Sequence, residues 1–348
     1  MAYSKIIYKQ SFTLVQLANC IAFHSYKGGT GKTTIAANFA ASLANRGYHV
    51  FLLDLDIYAP SLQSYFEKEP KKWINDFLYS NAELEDVLTD LTPTVIENDK
   101  NNRKKNKKSS IGKLWVAFSN SKKEEIYKLE GGTGGGGGGA GKQDTSKIQL
   151  LRRFILLREQ LISQYDADYI IIDTSPGIRY WSINALAVAD TLFLTLKMGD
   201  LDIEGTRKMA DEIYGSFTKF GAKSYLLLNR VDGYCVPLES FDTKRLSSSA
   251  STTGNTKAGT TITPATTNLT DNTHSISSER SGLPTSREHG YSEVIQTLSN
   301  NVRMNVISAI PCYCDIQFSR REYLTALEHP GHPFASKVEE LIKSMEAI

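Results

Sequence analysis

Short apolar runs alternate with segments of helical periodicity along most of this chain. Uninterrupted apolar runs of this length are typical of strands buried on both faces of a sheet. They are Cys20–His24, Val50–Leu53, Leu114–Phe118, Tyr169–Ile172, Thr191–Leu196, Tyr225–Leu228 and Val306–Ile310. Apolar residues at helical spacing predict helices at Ile35–Asn45, at Leu151–Gln164 and from Val338 to Ile348. The alternation predicts an α/β fold, a doubly wound and mostly parallel sheet with helices on both faces.

Two polar segments interrupt this pattern. The first, at about 97–147, holds the basic run Lys100–Lys108 and the glycine tract Gly131–Gly141, on either side of the predicted strand Leu114–Phe118. The second, at about 240–288, is rich in Ser, Thr and Asn. Polyglycine loses much entropy on ordering, and a Ser/Thr-rich segment has little apolar surface to bury. We therefore expect flexible inserts within a single domain that spans residues 1–348.

Composition narrows the function classes only slightly. The formal net charge is +2 over 348 residues, which by itself indicates neither a nucleic-acid nor a membrane partner. The basic run Lys100–Lys108 is a candidate for contact with an anionic partner, although a solvated loop is the simpler interpretation. Four cysteines without framework spacing, no apolar h-region near the N-terminus and no apolar run of about 20 residues lead us to expect a cytoplasmic protein.

One glycine-rich segment lies between the first predicted strand and the first predicted helix. It reads Lys27-Gly28-Gly29-Thr30-Gly31-Lys32-Thr33-Thr34. Glycines let several backbone N–H groups point at one anion, and the N-terminus of the following helix adds partial positive charge. The segment therefore predicts a phosphate-binding loop (P-loop) in which Lys32 reaches the β- and γ-phosphates and the Thr33 hydroxyl faces Mg²⁺.

Aspartates follow two of the predicted strands. Asp54 and Asp56 come directly after Val50–Leu53 and lie on the same side of an extended segment, and Asp173 ends another strand. Ligands of parallel sheets bind beyond the carboxyl ends of the strands, and an aspartate beside a phosphate loop usually holds Mg²⁺. A nucleoside triphosphate with Mg²⁺ is the ligand that these features share.

These motifs together resemble a known family, the MinD/ParA ATPases. The glycine-rich segment resembles their deviant Walker A motif, which carries an extra lysine at its start. Segment 54–61 resembles switch I, especially that of the Mrp-like branch, and segment 173–177 resembles switch II. Asn229-Arg230 resembles the adenine-contacting pair, and Ile310-Pro311 resembles the late strand end near the base. The matches occur in the family's order and cover the chain apart from the two inserts.

The resemblance implies a role for each matched position. Lys27 would reach across a dimer interface to the phosphates of the partner subunit, Lys32 would act in its own chain, and Asp56 would position the attacking water. The implied nucleotide contacts are Gly28, Gly29, Thr30, Gly31, Lys32, Thr33, Thr34, Asn229, Arg230 and Pro311. The implied Mg²⁺ site comprises Thr33 together with Asp54 and Asp173, which would hold water on the ion.

The implied activity is slow ATP hydrolysis by a switch that forms a homodimer on ATP. Its use would be DNA partitioning or the positioning of an assembly, with a protein activator or cargo and with DNA as a candidate partner. A membrane partner is not expected, because Glu339, Glu340 and Glu346 oppose the lysines of the C-terminal helix. We expect that helix to pack on its own domain.

Three alternatives to this hypothesis differ from it in the residues they require. An ATP-dependent iron–sulfur carrier of the Mrp type is favoured by segment 56–61, but Cys312-Tyr313-Cys314 lacks the usual Cys-x-x-Cys spacing and is interpreted as core or loop cysteines. A tyrosine kinase of this loop type would carry a tyrosine cluster in its tail, yet no tyrosine follows His332. A non-catalytic, nucleotide-switched scaffold would not need Lys27, Lys32, Asp56 and Asp173 together.

Overall fold

A single eight-stranded sheet organises the chain in a computed structural model, which describes residues 18–95, 112–129, 140–231 and 295–348. The strand order is β3-β4-β2-β5-β1-β6-β7-β8. The strands are β1 (Asn19–His24), β2 (His49–Leu55), β3 (Leu88–Asp90), β4 (Lys113–Ala117), β5 (Tyr169–Thr174), β6 (Thr191–Leu196), β7 (Lys223–Val231) and β8 (Val306–Pro311). All neighbouring pairs are parallel except β3, which runs antiparallel to β4.

Helices cover both faces of this sheet. The main ones are α1 (Lys32–Asn45), α2 (Ala140–Tyr165), α3 (Tyr180–Leu186), α4 (Asp200–Met209) and α5 (Pro333–Glu346). Helix α4 continues through a π-helical turn, Ala210–Tyr214, into Gly215–Lys219. Short helices occur at Gln63–Phe66, Ile74–Leu78, Leu84–Val87, Lys123–Leu129, Cys314–Gln317 and Thr325–Glu328, and at residues 92–95 and 295–302.

Strand β2 shows how the two layers are built. Val50 and Leu52 are fully buried in the cluster that also contains the apolar residues of α1 and α5. Phe51, which lies between them, stacks on Trp115 of β4 and contacts Tyr165 of α2. Because successive side chains of a strand point to opposite faces, α1 and α5 pack on one face and α2 on the other. The predicted doubly wound α/β fold is confirmed.

The predicted strands are all present, with ends that differ by a few residues. The predicted strand Leu114–Phe118, for example, is observed as Lys113–Ala117. The C-terminal helix packs on its own domain as predicted, since Val338, Leu341 and Ile342 are fully buried. It begins earlier than predicted, at Pro333, where His332 Nδ1 accepts a hydrogen bond from the Phe334 amide at 3.0 Å.

The prediction for the first insert needs a correction. Lys123–Leu129 forms a helix and α2 begins at Ala140, so residues 140–147 are helical and the predicted flexible stretch is shorter. Glu124 and Glu125 lie in the first turn of the former, where negative charge stabilises a helix. The basic run 100–108, residues 131–139 of the glycine tract and the second insert lie outside the described residues.

The described residues all belong to one compact unit, and the domain organisation of the whole chain stays a prediction. Among the helices of the described ranges, none combines the length and apolar character that a membrane crossing requires.

Candidate functional site

The predicted site residues lie at the carboxyl ends of adjacent strands. The glycine loop follows β1, which has β5 on one side and β6 on the other. Asp54 of β2 is the register partner of Asp173 of β5, and Asn229 lies near the end of β7. Short apolar strands that end in polar residues therefore deliver the loop, the carboxylates and the amide to one edge of the sheet.

The loop depends on glycine at two positions. Gly29 and Gly31 have φ angles of +72° and +87°, in the left-handed region that side chains with a Cβ rarely adopt. Gly31 is also the N-cap of α1, so the first-turn amides of this helix open toward the loop. A Cβ at Gly31 would lie 2.3 Å from Asn229 Nδ2, which leaves no room for any other residue.

The end of β7 clamps this loop. Asn229 is buried and donates from Nδ2 to the Thr30 carbonyl oxygen at 2.7 Å. Arg230 adopts a left-handed φ of +56°, which turns the chain beside the loop. Thus Asn229, for which the family resemblance implies a base contact, holds the phosphate loop in shape.

A cluster of carboxylates lies on the β2–β5 side of the loop. Asp54 and Asp173 are each 1% exposed. Thr33 Oγ1 donates to Asp173 Oδ2 at 2.6 Å, and the Asp56 amide donates to Asp54 Oδ1 at 3.1 Å. The remaining oxygens, Asp54 Oδ2 and Asp173 Oδ1, are buried without a hydrogen-bond partner among the described residues. Buried polar atoms of this kind point to a missing cation or donor.

Burial and mutual repulsion raise the pKa values of these carboxyl groups. Burial raises the pKa of Asp173 to about 7, although Lys32 and the Thr33 hydroxyl oppose this increase. Burial, together with the charge of Asp173, raises the pKa of Asp54 well above its usual range. Burial also raises the pKa of Asp56, against the opposing charge of Lys32. A bound divalent cation would favour the ionised forms of the same groups.

Mg²⁺ fits this arrangement, because it is a hard ion that takes oxygen ligands from one or two carboxylates and completes its shell with water and phosphate oxygens. Within the described ranges no group of three or more His, Cys, Asp or Glu side chains is placed to hold a metal alone. The predicted trio of Thr33, Asp54 and Asp173 is brought together beside the loop, in keeping with such a shared site.

The two lysines of the loop have different surroundings. Lys32 is almost fully buried, and its charge acts on both Asp56 and Asp173. Lys27 has a side chain that is 43% exposed, and its Nζ lies 3.2 Å from Asp202 Oδ1 of α4. The role of Lys27 across a dimer interface stays a prediction, since in this single chain its ammonium group is paired with its own α4.

A cleft opens beside the helix-proximal end of the loop. It brings together predicted nucleotide contacts from three elements, namely Gly31, Thr34, Asn229, Arg230 and Pro311. Tyr313, Gln317, Glu322 and Phe334 also line it, and the sequence analysis did not find them. Tyr313 and Gln317 follow Pro311 closely in the sequence, and this position could have identified them. Phe334 of α5 reaches the cleft only through tertiary packing.

Three further residues near the loop were also missed. Tyr65 donates from its hydroxyl to Thr34 Oγ1 at 2.8 Å, and Asp202 is the partner of Lys27. Lys197 is the first residue after β6, and its Nζ would lie 3.8 Å from a Cβ at Gly29. The strand-end rule that identified Asp54 and Asp173 would have identified Lys197.

A family model described as the CobQ/CobB/MinD/ParA nucleotide binding domain (CbiA) matches residues 21–280, which is more than half of the chain. The chain belongs to this family. The predicted resemblance to the MinD/ParA ATPases is thereby confirmed at the level of the family.

Curated relatives of this family member differ in their described functions. The chain is 28% identical over 185 residues to a putative replication protein A of Rhizobium rhizogenes, covering 53% of this chain and 41% of the relative. It is 32% identical over 156 residues to a putative arsenical pump-driving ATPase 2 of Aquifex aeolicus, covering 45% of each. It is 24% identical over 190 residues to the cytosolic Fe-S cluster assembly factor CFD1 of Candida albicans, covering 54% and 55%. The chain therefore spans about half the length of these relatives.

Solved structures agree on the fold. The cell division ATPase MinD of Pyrococcus furiosus superposes with a TM-score of 0.57 at 16% identity, covering 95% of this chain and 99% of that one. The septum site-determining protein MinD of Pyrococcus horikoshii, complexed with Mg-ADP, gives a TM-score of 0.56 at 16% identity, covering 95% and 96%. At this identity the likeness establishes a shared P-loop ATPase fold.

Proposed function

We propose that this chain binds ATP with Mg²⁺, hydrolyses it slowly and dimerises while ATP is bound. Its use is DNA partitioning or the spatial positioning of an assembly. The observation that best supports this proposal is the pair of buried carboxylate oxygens, Asp54 Oδ2 and Asp173 Oδ1, without hydrogen-bond partners among the described residues and beside the Thr33 hydroxyl. Buried carboxylate oxygens without hydrogen-bond donors are costly, and a bound cation would offset that cost.

Phosphate binding falls to the loop and the first turn of α1. The left-handed glycines leave the backbone amides free to converge, and the buried Lys32 ammonium lies where the triphosphate charge would be greatest. Thr33, Asp54 and Asp173 would hold Mg²⁺ directly or through water. When bound, Mg²⁺ supplies positive charge to the phosphate oxygens during transfer.

Asp56 would position the attacking water. Its Oδ1 accepts a hydrogen bond from the Ala59 amide at 3.3 Å, and this bond fixes the carboxylate at the end of β2. Lys32 opposes the pKa increase caused by burial and so favours the ionised form, which orients water. Positioning of this kind contributes to the chemical step more than to ground-state binding.

Lys27 would complete the site of a second copy of the chain. In this single chain its pairing with Asp202 keeps it out of its own phosphate site, and its 43% exposed side chain lies on the outer surface. Three apolar side chains are exposed just after switch II and in α4, namely Ile178, Tyr180 and Leu201. A lysine shared between subunits would make hydrolysis depend on dimer formation.

This proposal is tested by measuring ATP hydrolysis over a wide range of protein concentrations. We expect the rate per chain to rise with concentration in the wild type, and to stay low and flat for Lys27→Ala and for Asp56→Ala. Lys208→Met, which removes an exposed lysine of α4, is the matched control and should behave as the wild type. A wild-type rate per chain that is independent of concentration would refute the shared-lysine mechanism.

An iron–sulfur carrier is the second candidate, because curated relatives include the assembly factor CFD1. Cys312 and Cys314 are partly exposed and form no disulfide with each other, and Cys312 Sγ donates to Gln317 Oε1 at 2.9 Å beside the cleft. Anaerobic reconstitution with iron and sulfide tests this candidate. A visible charge-transfer band that is lost in Cys312→Ser would support it, and a colourless protein would refute it.

A further inference from the structure

Lys197 has a position that none of the roles above uses. It follows Leu196, the last residue of β6, and β6 lies directly beside β1 in the sheet. Its ammonium nitrogen would lie 3.8 Å from a Cβ at Gly29, the middle of the phosphate loop. Lys197 as a whole is partly buried.

The charge of Lys197 is not matched by an acid within the part of the chain that the structure describes. No described carboxylate lies within ion-pair distance of its Nζ, whereas Lys27 is paired with Asp202 and Lys32 lies among Asp56 and Asp173. A partly buried cation against an anion-binding loop is most stable when an anion is present.

The neighbours of the loop indicate which phosphate Lys197 would meet. Gly28 lies against switch II, where a Cβ would be 3.8 Å from Pro176 Cγ. Switch II also carries Asp173, and Asp56 lies beside it, so this part of the loop adjoins the place of the attacking water. Gly31, nearer to α1, lines the cleft instead, and Thr33 in the first turn of α1 bonds to Asp173.

We propose that Lys197 is a third phosphate-binding lysine, which contacts the terminal phosphate of a nucleoside triphosphate bound to its own chain. This inference rests on the proposed function, because it requires that a triphosphate bind this loop. It deepens that function by giving the site a means to distinguish a triphosphate from a diphosphate without the partner's lysine. A charge-assisted contact that only the triphosphate can make favours that ligand alone.

The test compares the binding of two nucleotides to the wild type and to three single variants. Titration calorimetry measures the Mg²⁺-dependent affinities for AMPPNP and for ADP in the wild type, Lys197→Met, Lys197→Arg and the control Lys208→Met. The same titrations are repeated in the Lys27→Ala background, which removes any contribution of the partner's lysine.

We expect Lys197→Met to weaken AMPPNP binding by about tenfold or more and ADP binding by less than about twofold, in both backgrounds. Lys197→Arg should restore most of the loss, and Lys208→Met should change neither affinity. Equal losses for both nucleotides would assign Lys197 a structural role and overturn the proposal, as would unchanged affinities or a loss that disappears in the Lys27→Ala background. A wild type that binds neither nucleotide would instead overturn the proposed function itself.

Discussion

The two sides of the phosphate loop are built differently. On the β2–β5 side, Asp54 and Asp173 are 1% exposed and fixed by strand register, and Thr33 bonds to one of them. On the β6–α4 side, Lys27 is 43% exposed and joined to Asp202 by an ion pair near the surface. The first side is ordered before a ligand arrives, and the second can exchange partners at low cost. Under the proposed mechanism, chemistry within one chain and control by a second chain would occupy opposite sides of one loop.

Lys32→Ala is expected to have the largest effect, because it removes the buried cation of the phosphate loop. We expect nucleotide affinity to fall by about a hundredfold or more, since a charge-assisted phosphate contact is lost and its carboxylate neighbours remain. Titration calorimetry with ADP and Mg²⁺ measures the loss, and thermal melting checks that the variant is folded. Unchanged affinity in a folded variant would remove the loop from the site.

Asp54→Asn tests how much stability the protein loses by burying carboxyl groups on the β2–β5 side of the loop. The folded-state pKa of Asp173 is about 7, above that of an unfolded aspartate, so folding takes up a proton there. This contribution to stability is present below about pH 4 and is lost as the pH rises to about 7.

In the absence of Mg²⁺ we therefore expect Asp54→Asn to raise the free energy of unfolding at pH 7.5 by about 1 kcal/mol or more, because the variant no longer buries an ionisable group beside Asp173. The same variant should lose most of the stabilisation that Mg²⁺ with ADP gives the wild type. Chemical denaturation at several pH values, with and without Mg²⁺, measures both effects. A ligand-free variant that is less stable than the wild type would show that these carboxylates do not repel each other.

The sequence predicts the β2–β5 side of the loop far better than the β6–α4 side. The apolar runs of the sequence predict the strands β1, β2 and β5. The predicted site residues lie at or just beyond the carboxyl ends of these strands. The short β3 and the mostly polar α4 were missed, because three residues carry no period and α4 buries only Gly205, Thr206 and Met209. Contacts such as Lys27 with Asp202, or Phe334 with the cleft, join positions that only tertiary packing brings together.

Asp202→Ala is expected to have the smallest effect on stability. Its clear effect should be on dimer formation, which the β6–α4 side is proposed to control. A partly exposed ion pair is worth about 0–1 kcal/mol, so the free energy of unfolding should change by no more than about 1 kcal/mol. Dimer formation on ATP should become stronger by up to about fivefold, because Lys27 no longer has to leave a partner in its own chain. Sedimentation at several protein concentrations measures the dimer affinity, and weaker dimers would show that Asp202 supports the interface instead.

The most direct measurement is the solution mass of Asp56→Ala, by light scattering, first with ATP and Mg²⁺ and then with ADP and Mg²⁺. This variant keeps the loop, Lys27 and the Mg²⁺ carboxylates while losing the residue proposed to position water, so ATP should persist during the measurement. We expect a dimer with ATP and a monomer with ADP. A monomer with both nucleotides would contradict the proposal that Lys27 serves a second chain.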